Sequence, residues 1–203
     1  MKLYNSVGPN PKMVRMFLAE RNITLETIDI DLMSGENRQE AHLARNPSGQ
    51  SPSLELDDGS YISEITAICE YLDEVNGTSE LLGRTAADRA ETRMLVRRLD
   101  LQIIEPLANG FRFSDGLALF QDRVRCIPQA ADDLKTLAQE RIAWLDGQMQ
   151  GRTFICGDRF SLADIHLFAF LEFGAQVGQP LNTDNKNIAA WYERIGKRAS
   201  AAA

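Results

Sequence analysis

Over the first 75 residues the hydrophobic period changes every few positions, from strand-like alternation to helical spacing and back. Residues 2–5 read as a strand, and within residues 13–20 Val14, Phe17 and Leu18 share one helical face. A second strand is predicted over 25–30. After a loop through Ser34, Gly35 and Glu36, a short polar helix over 38–44 ends at Asn46-Pro47-Ser48-Gly49, which is turn chemistry. Segments 53–56 and 61–62, separated by Asp57-Asp58-Gly59-Ser60, form a hairpin because Asp-Gly tolerates the positive φ of tight turns. Ser63 is placed as the cap of a helix whose Ile65, Ile68, Cys69 and Leu72 form an apolar stripe. The predicted order is β-α-β-α-β-β-α.

Beyond a polar connection at 76–85 nearly every segment has helical period, so the chain divides into an α/β domain (1–75), a linker (76–85) and an all-α domain (86–203). The longest helices are expected at 87 to about 111 and at 128–149, the latter burying Leu134, Ala138, Ile142, Leu145 and Met149. Pro128 separates residues 121–127 from that helix. Ser161-Leu162-Ala163-Asp164 has the spacing of a capping box before an apolar run, and a last helix is expected at 187–197.

Charge narrows the function. Lys plus Arg number 22 against 29 Asp plus Glu, a net charge of −7, which argues against DNA, RNA or an anionic membrane as partner. No apolar run approaches the roughly 18 residues of a membrane span. Three cysteines (Cys69, Cys126, Cys156) and two histidines (His42, His166) give no metal-ligand spacing, and the sparse, odd cysteine count fits a reducing, cytoplasmic setting. His166 lies on an apolar stripe and reads as a satisfied core residue; His42 reads as a surface or subunit-contact residue.

Two segments can carry chemistry. At Gly8-Pro9-Asn10-Pro11, Asn10 reads as an N-cap before a proline at the first helical position, which is either a structural cap alone or a site where free backbone donors, the dipole and the Asn10 amide face an anion such as a thiolate. Ser6 is a second, nearby hydroxyl. At Asn46 to Pro52 a proline precedes a strand, marking a sheet edge or a cis bond. The hairpin then returns to Ser63-Glu64-Ile65-Thr66 at a helix start. Backbone donors and a carboxylate therefore converge on whatever Ser51 faces, a match for an amino-acid-like head group.

These residues resemble the glutathione transferase family. The thioredoxin-like first domain carries Asn46-Pro47 to Ser51-Pro52 and Glu64-Ile65-Thr66-Ala67-Ile68, and the all-α second domain carries Gly157-Asp158-Arg159-Phe160-Ser161-Leu162-Ala163-Asp164. The resemblance implies glutathione as cosubstrate and no metal. It places the γ-glutamyl end at Glu64 and Ile65, with Thr66 as a further hydroxyl. The cysteinyl backbone would lie at Ser51 beside a cis Pro52, and the glycyl carboxylate near Asn37, Arg38 and Gln50. Gly8-Pro9-Asn10-Pro11 looks like the Thr-Pro-Asn-Gly signature of the bacterial Nu class and fungal prion-like relatives, with Gly8 and Pro11 replacing the Thr and the Gly. Asn10 thereby inherits the sulfur-facing role. No cysteine stands at that site, so enzyme-thiol chemistry is disfavoured.

The family's usual Glu-Ser pair is Glu64-Ile65 here, which keeps the backbone donor and loses a hydroxyl worth roughly 1.5–3 kcal/mol toward a charged group. The family also implies a homodimer and an acceptor pocket between its domains, with Phe111, Arg112 and Phe113 as candidate lining. The expected activity is conjugation of glutathione to an electrophilic small molecule, as in detoxification, at low to moderate rate. Alternatives are glutathione-dependent reduction of a disulfide or peroxide, and a non-catalytic binding or regulatory module.

Overall fold

The computed structural model describes residues 1–203 and contains two compact units, Met1–Ser79 with Arg198–Ala203, and Glu80–Lys197. The first unit follows the expected order: β1 (Lys2–Asn5), α1 (Pro9–Arg21), β2 (Glu26–Asp29), α2 (Glu40–Leu43), β3 (Ser53–Glu55), β4 (Tyr61–Ile62) and α3 (Ile65–Val75). The sheet order is β2-β1-β3-β4, with β1 and β2 parallel and the β1–β3 and β3–β4 pairs antiparallel. Leu3 on β1, Leu54 on β3, Met13, Val14 and Phe17 on α1, and Ile68, Cys69 and Leu72 on α3 are all fully buried, so the two helical stripes close over the central strands.

Polar fastenings fix α1 at its far end. Arg21 in its last turn pairs with the buried Asp73 of α3, and its Nη2 donates to the Gly77 carbonyl at 2.6 Å. The residue before it, Glu20, accepts from Arg198 Nε and Nη2 at 2.8 and 2.7 Å, in the fork geometry that guanidinium offers a carboxylate, and also from Ser200. The last six residues, Arg198–Ala203, thus pack with the first unit. Sequence had placed them with the helical domain, because an Ala-rich tail carries no pattern that names its partner.

The helical unit is built from α4 (Ala86–Leu99), α5 (Glu105–Arg112), α6 (Leu117–Phe120), α7 (Ala131–Gln148), α8 (Leu162–Gln176) and α9 (Lys186–Gly196). The single long helix predicted over 87–111 is present as α4 and α5 joined through a widened turn at Asp100–Ile104. Pro106 explains the widening: it has no N–H for the Gln102 carbonyl and its ring crowds that group, so the Glu105 N–H bonds back five residues to Asp100 instead. His166 Nε2 lies 2.6 Å from Asp100 Oδ1 and the ring is 1% exposed, as expected of a satisfied core histidine. Residues 121–127 are not helical, and α7 begins after a single tight turn at Pro128–Ala130.

Every residue from Leu162 to Leu171 is buried, which makes α8 the centre of this unit. Its start is a reciprocal capping box between Ser161 and Asp164. Asp164 also accepts from Ile155 N–H at 2.9 Å and Trp191 Nε1 at 2.8 Å, tying one loop and α9 to that helix start. These bonds show Ser161 and Asp164 acting on the fold, with no free valence for chemistry. No helix of the chain is long and apolar enough to cross a membrane.

Candidate active site

Helix α1 begins earlier than its sequence suggests. Gly8 is the residue before the first turn, at φ 109° and ψ 173°, a conformation that L side chains rarely adopt. Pro9 is the first helical residue and Asn10 the second, so Asn10 is not the N-cap, and its side chain makes no capping bond. The reason is that Pro9, like Pro11, has a φ already set for helix, and glycine supplies the turn into it. Lys12 N–H already bonds the Gly8 carbonyl, and neither Pro9 nor Pro11 has an N–H. The first turn therefore offers an anion the Asn10 backbone N–H and the positive end of the dipole. The Asn10 side-chain amide is half-buried and has no partner inside the protein.

The loop from Asn46 to Pro52 is held from beneath. Asn46 Oδ1 accepts from the Ser48 N–H and hydroxyl, and Gly49 N–H bonds the Asn46 carbonyl. Gly49 adopts φ 63°, and a Cβ there would stand 2.8 Å from Arg38 Nη1 and 3.2 Å from the Asn37 carbonyl. Ser51-Pro52 is cis. Ser51 places its hydroxyl 3.5 Å from the Tyr4 carbonyl, and its own backbone N–H and C=O have no partner in the chain.

Helix α3 starts one residue later than the Ser63 cap predicted. Glu64 takes the cap position at φ 70° and ψ 117°, an uncommon conformation for a residue with a Cβ. Ile68 N–H makes the first helical bond, to the Glu64 carbonyl, so the amides of Ile65, Thr66 and Ala67 are free donors at a positive helix end. Strained backbone of this kind persists where the surroundings over-determine it.

These parts meet in one open cleft, lined by Asn10, Asn46, Gln50, Ser51, Pro52, Glu64 and Ile65. All of these are site residues expected from the sequence except Asn46, which the sequence places in the turn and in the family motif without a ligand role. The cleft offers the Glu64 carboxylate, the unengaged side-chain amides of Asn10 and Gln50, a free backbone N–H and C=O pair at Ser51, and helix-start donors. A ligand carrying an ammonium, a carboxylate, a peptide group and a soft anion fits that donor set.

Other named residues are not in the cleft lining. Ser6 is buried and donates to the Val7 carbonyl at 3.2 Å. Asn37 is 4% exposed, and its amide donates to the Gly49 carbonyl at 2.6 Å from beneath the loop. Arg38 is half-buried, with Nη1 3.5 Å from the Ser48 carbonyl. Thr66 is half-buried in the first turn of α3. In the helical unit, Phe111 packs edge-on to Phe173 at 5.2 Å, and Arg112 bonds Asn109 and lies over the Phe120 ring. Phe113 is half-buried at the end of α5.

His42 corrects the sequence reading outright: it is 1% exposed, not a surface residue, and its Nε2 lies 2.8 Å from the Gln50 carbonyl oxygen. A four-residue helix has too few positions to show which face is buried. Tyr4 is also committed elsewhere. Its hydroxyl donates to Glu55 at 2.6 Å, and that bond together with burial pushes its pKa up to about 12. No three His, Cys, Asp or Glu side chains converge to hold a metal ion.

Comparison with known proteins gives a consistent set of likenesses. The profile of the glutathione S-transferase N-terminal domain matches residues 7–75, and that of the C-terminal domain matches residues 127–199. Glutathione S-transferase 2 of Saccharomyces cerevisiae is 34% identical, covering 98% of this chain and 87% of the relative. The crystal structure of Gtt2 from Saccharomyces cerevisiae superposes with a TM-score of 0.93 at 33% identity, over 100% of this chain and 99% of that one. A glutathione S-transferase domain-containing protein from Marinobacter aquaeolei VT8 does so with a TM-score of 0.90 at 33% identity, over 98% and 99%.

Proposed function

The chain belongs to the glutathione transferase family, and on that premise we propose that it conjugates the thiolate of glutathione to an electrophilic small molecule. The observation that carries this reading is the convergence of Asn10 with Ser51, Glu64 and Ile65 in one cleft. Glu64 pairs with the γ-glutamyl ammonium, and the Ile65 and Thr66 N–H groups hold the adjoining carboxylate. The Ser51 backbone N–H and C=O pair with the cysteinyl unit as an added strand would. Gln50 and Arg38 answer the glycyl carboxylate. With the tripeptide so placed, its sulfur falls at the start of α1, where the Asn10 amide and N–H and the helix dipole stabilise the thiolate over the thiol. The thiol proton passes to solvent, and the thiolate forms the new bond to the electrophilic carbon as the leaving group departs with its electron pair. Positioning supplies the rest of the rate.

Ile65 favours a second reading. Without a hydroxyl on the γ-glutamyl carboxylate, binding is weak, and the fold serves as a non-catalytic binding module; reduction of a glutathione-accessible disulfide lies between the two. Calorimetric titration with reduced glutathione and with its disulfide separates them, followed by turnover of an activated aryl halide. Binding of the reduced form with turnover is the expected result. Preference for the disulfide points to the reductase, and absence of binding at millimolar ligand overturns both enzymatic readings.

A further inference from the structure

We propose that His42 is a positioning residue that aims the Ser51 N–H at the ligand through the Gln50–Ser51 peptide group, a role that rests on the glutathione site proposed above. The Gln50 carbonyl oxygen accepts two side-chain hydrogen bonds, from His42 Nε2 at 2.8 Å and from Asn46 Nδ2 at 3.0 Å. Both donors are buried, at 1% and 3% exposure, and reach the loop from its inner side. A peptide unit is planar, with its C=O and N–H on opposite sides. Fixing the Gln50 oxygen at two points therefore fixes the direction of the Ser51 N–H, which has no partner in the chain and borders the cleft.

The chemistry sets the tautomer. A carbonyl oxygen only accepts, so the proton of His42 sits on Nε2. Its Nδ1 is buried with no partner, which means that the Gln50 contact is the polar bond this ring makes. A buried histidine with half its capacity unmet needs a reason, and core packing alone is served equally by an aromatic ring without nitrogen. The bond also complements its neighbour: Asn37 holds the Gly49 carbonyl at 2.6 Å, so two successive carbonyls of the loop are drawn inward by buried donors. The ligand-facing edge of the loop is thereby set before glutathione arrives, which lowers the ordering cost of binding.

His42→Phe removes the donor and keeps a ring of similar volume, whereas His42→Gln keeps an N–H at similar reach. The expected result is that His42→Phe weakens glutathione binding and raises its KM about two- to tenfold, with kcat at saturating glutathione unchanged, and that His42→Gln restores most of the affinity. Residual dipolar couplings of the Ser51 N–H, measured by NMR without ligand, read its direction: they should shift in His42→Phe and return toward wild type in His42→Gln. Unchanged affinity and unchanged Ser51 couplings in folded His42→Phe overturns the proposal, as does a loss of kcat with constant KM. If the wild-type protein binds no glutathione, the proposed function falls; the loop-positioning role is then decided by the couplings, and an unaltered Ser51 N–H direction overturns it too.

Discussion

Asn10 carries an amide that nothing inside the protein engages, at a helix start where two prolines have removed the competing donors. Asn10→Ala should lower turnover roughly ten- to hundredfold at neutral pH, the range for a hydrogen bond to a charged group, while glutathione affinity changes little. The rate–pH profile should move to higher pH, because a thiolate with one donor fewer needs less acid to protonate. Equal turnover in the variant removes Asn10 from the chemistry. Ile65 calls for the opposite experiment. Ile65→Ser adds a hydroxyl beside free amides at the start of α3, and glutathione should bind about tenfold tighter; constant affinity in the titration would mean that the backbone donors already satisfy the carboxylate. At this scale the sequence disclosed residue types and not their commitments. Asn10, Gln50, Ser51, Glu64 and Ile65 were legible because proline and turn residues mark the loops that present them. The burial of His42 and the capture of Asn37 by the Gly49 carbonyl were not, since both follow from how a short loop folds under itself.

Elements were most legible where local chemistry and tertiary need agree. The Asp58-Gly59 hairpin and the Ser161–Asp164 box both formed as their spacing required. Starts of helices shifted where a glycine or a strained residue replaced the expected cap, at Gly8 and Glu64. The widened turn before Pro106 was hidden because its apolar stripe continues unbroken through the helix. Nothing local marked the contact of the C-terminal tail with α1, which gives a pH test. Burial alone raises the pKa of Glu20, but the bonds from Arg198 and Ser200 together outweigh it and hold the carboxyl below its usual value of 4.5. A depressed folded-state pKa adds stability above the unfolded value, and that stability disappears as pH falls through the folded one. Wild type should therefore melt above Glu20→Gln at neutral pH, and the gap should close as pH falls through the lowered pKa of Glu20. A gap that persists in acid would mean that the contact is one of packing rather than charge.

For the whole molecule, a net charge of −7 argues against polyanions as partners and favours small ligands and other protein surfaces. Family membership carries the expectation of a homodimer, and the helical unit gives it a place to begin. Met94 on α4 and Leu101 in the widened turn that follows it are 50% and 54% exposed, a costly way to display large apolar side chains toward water. Sedimentation should report about twice the chain mass of 22.7 kDa. A Met94→Glu, Leu101→Glu variant adds like charges that would face each other across a self-complementary contact through this helix, and it should sediment at the monomer mass with its helical signal intact. If the variant remains dimeric, the contact lies elsewhere on the surface. A wild-type chain that sediments at 22.7 kDa removes the homodimer itself while leaving the cleft, built wholly within the first unit, available to glutathione.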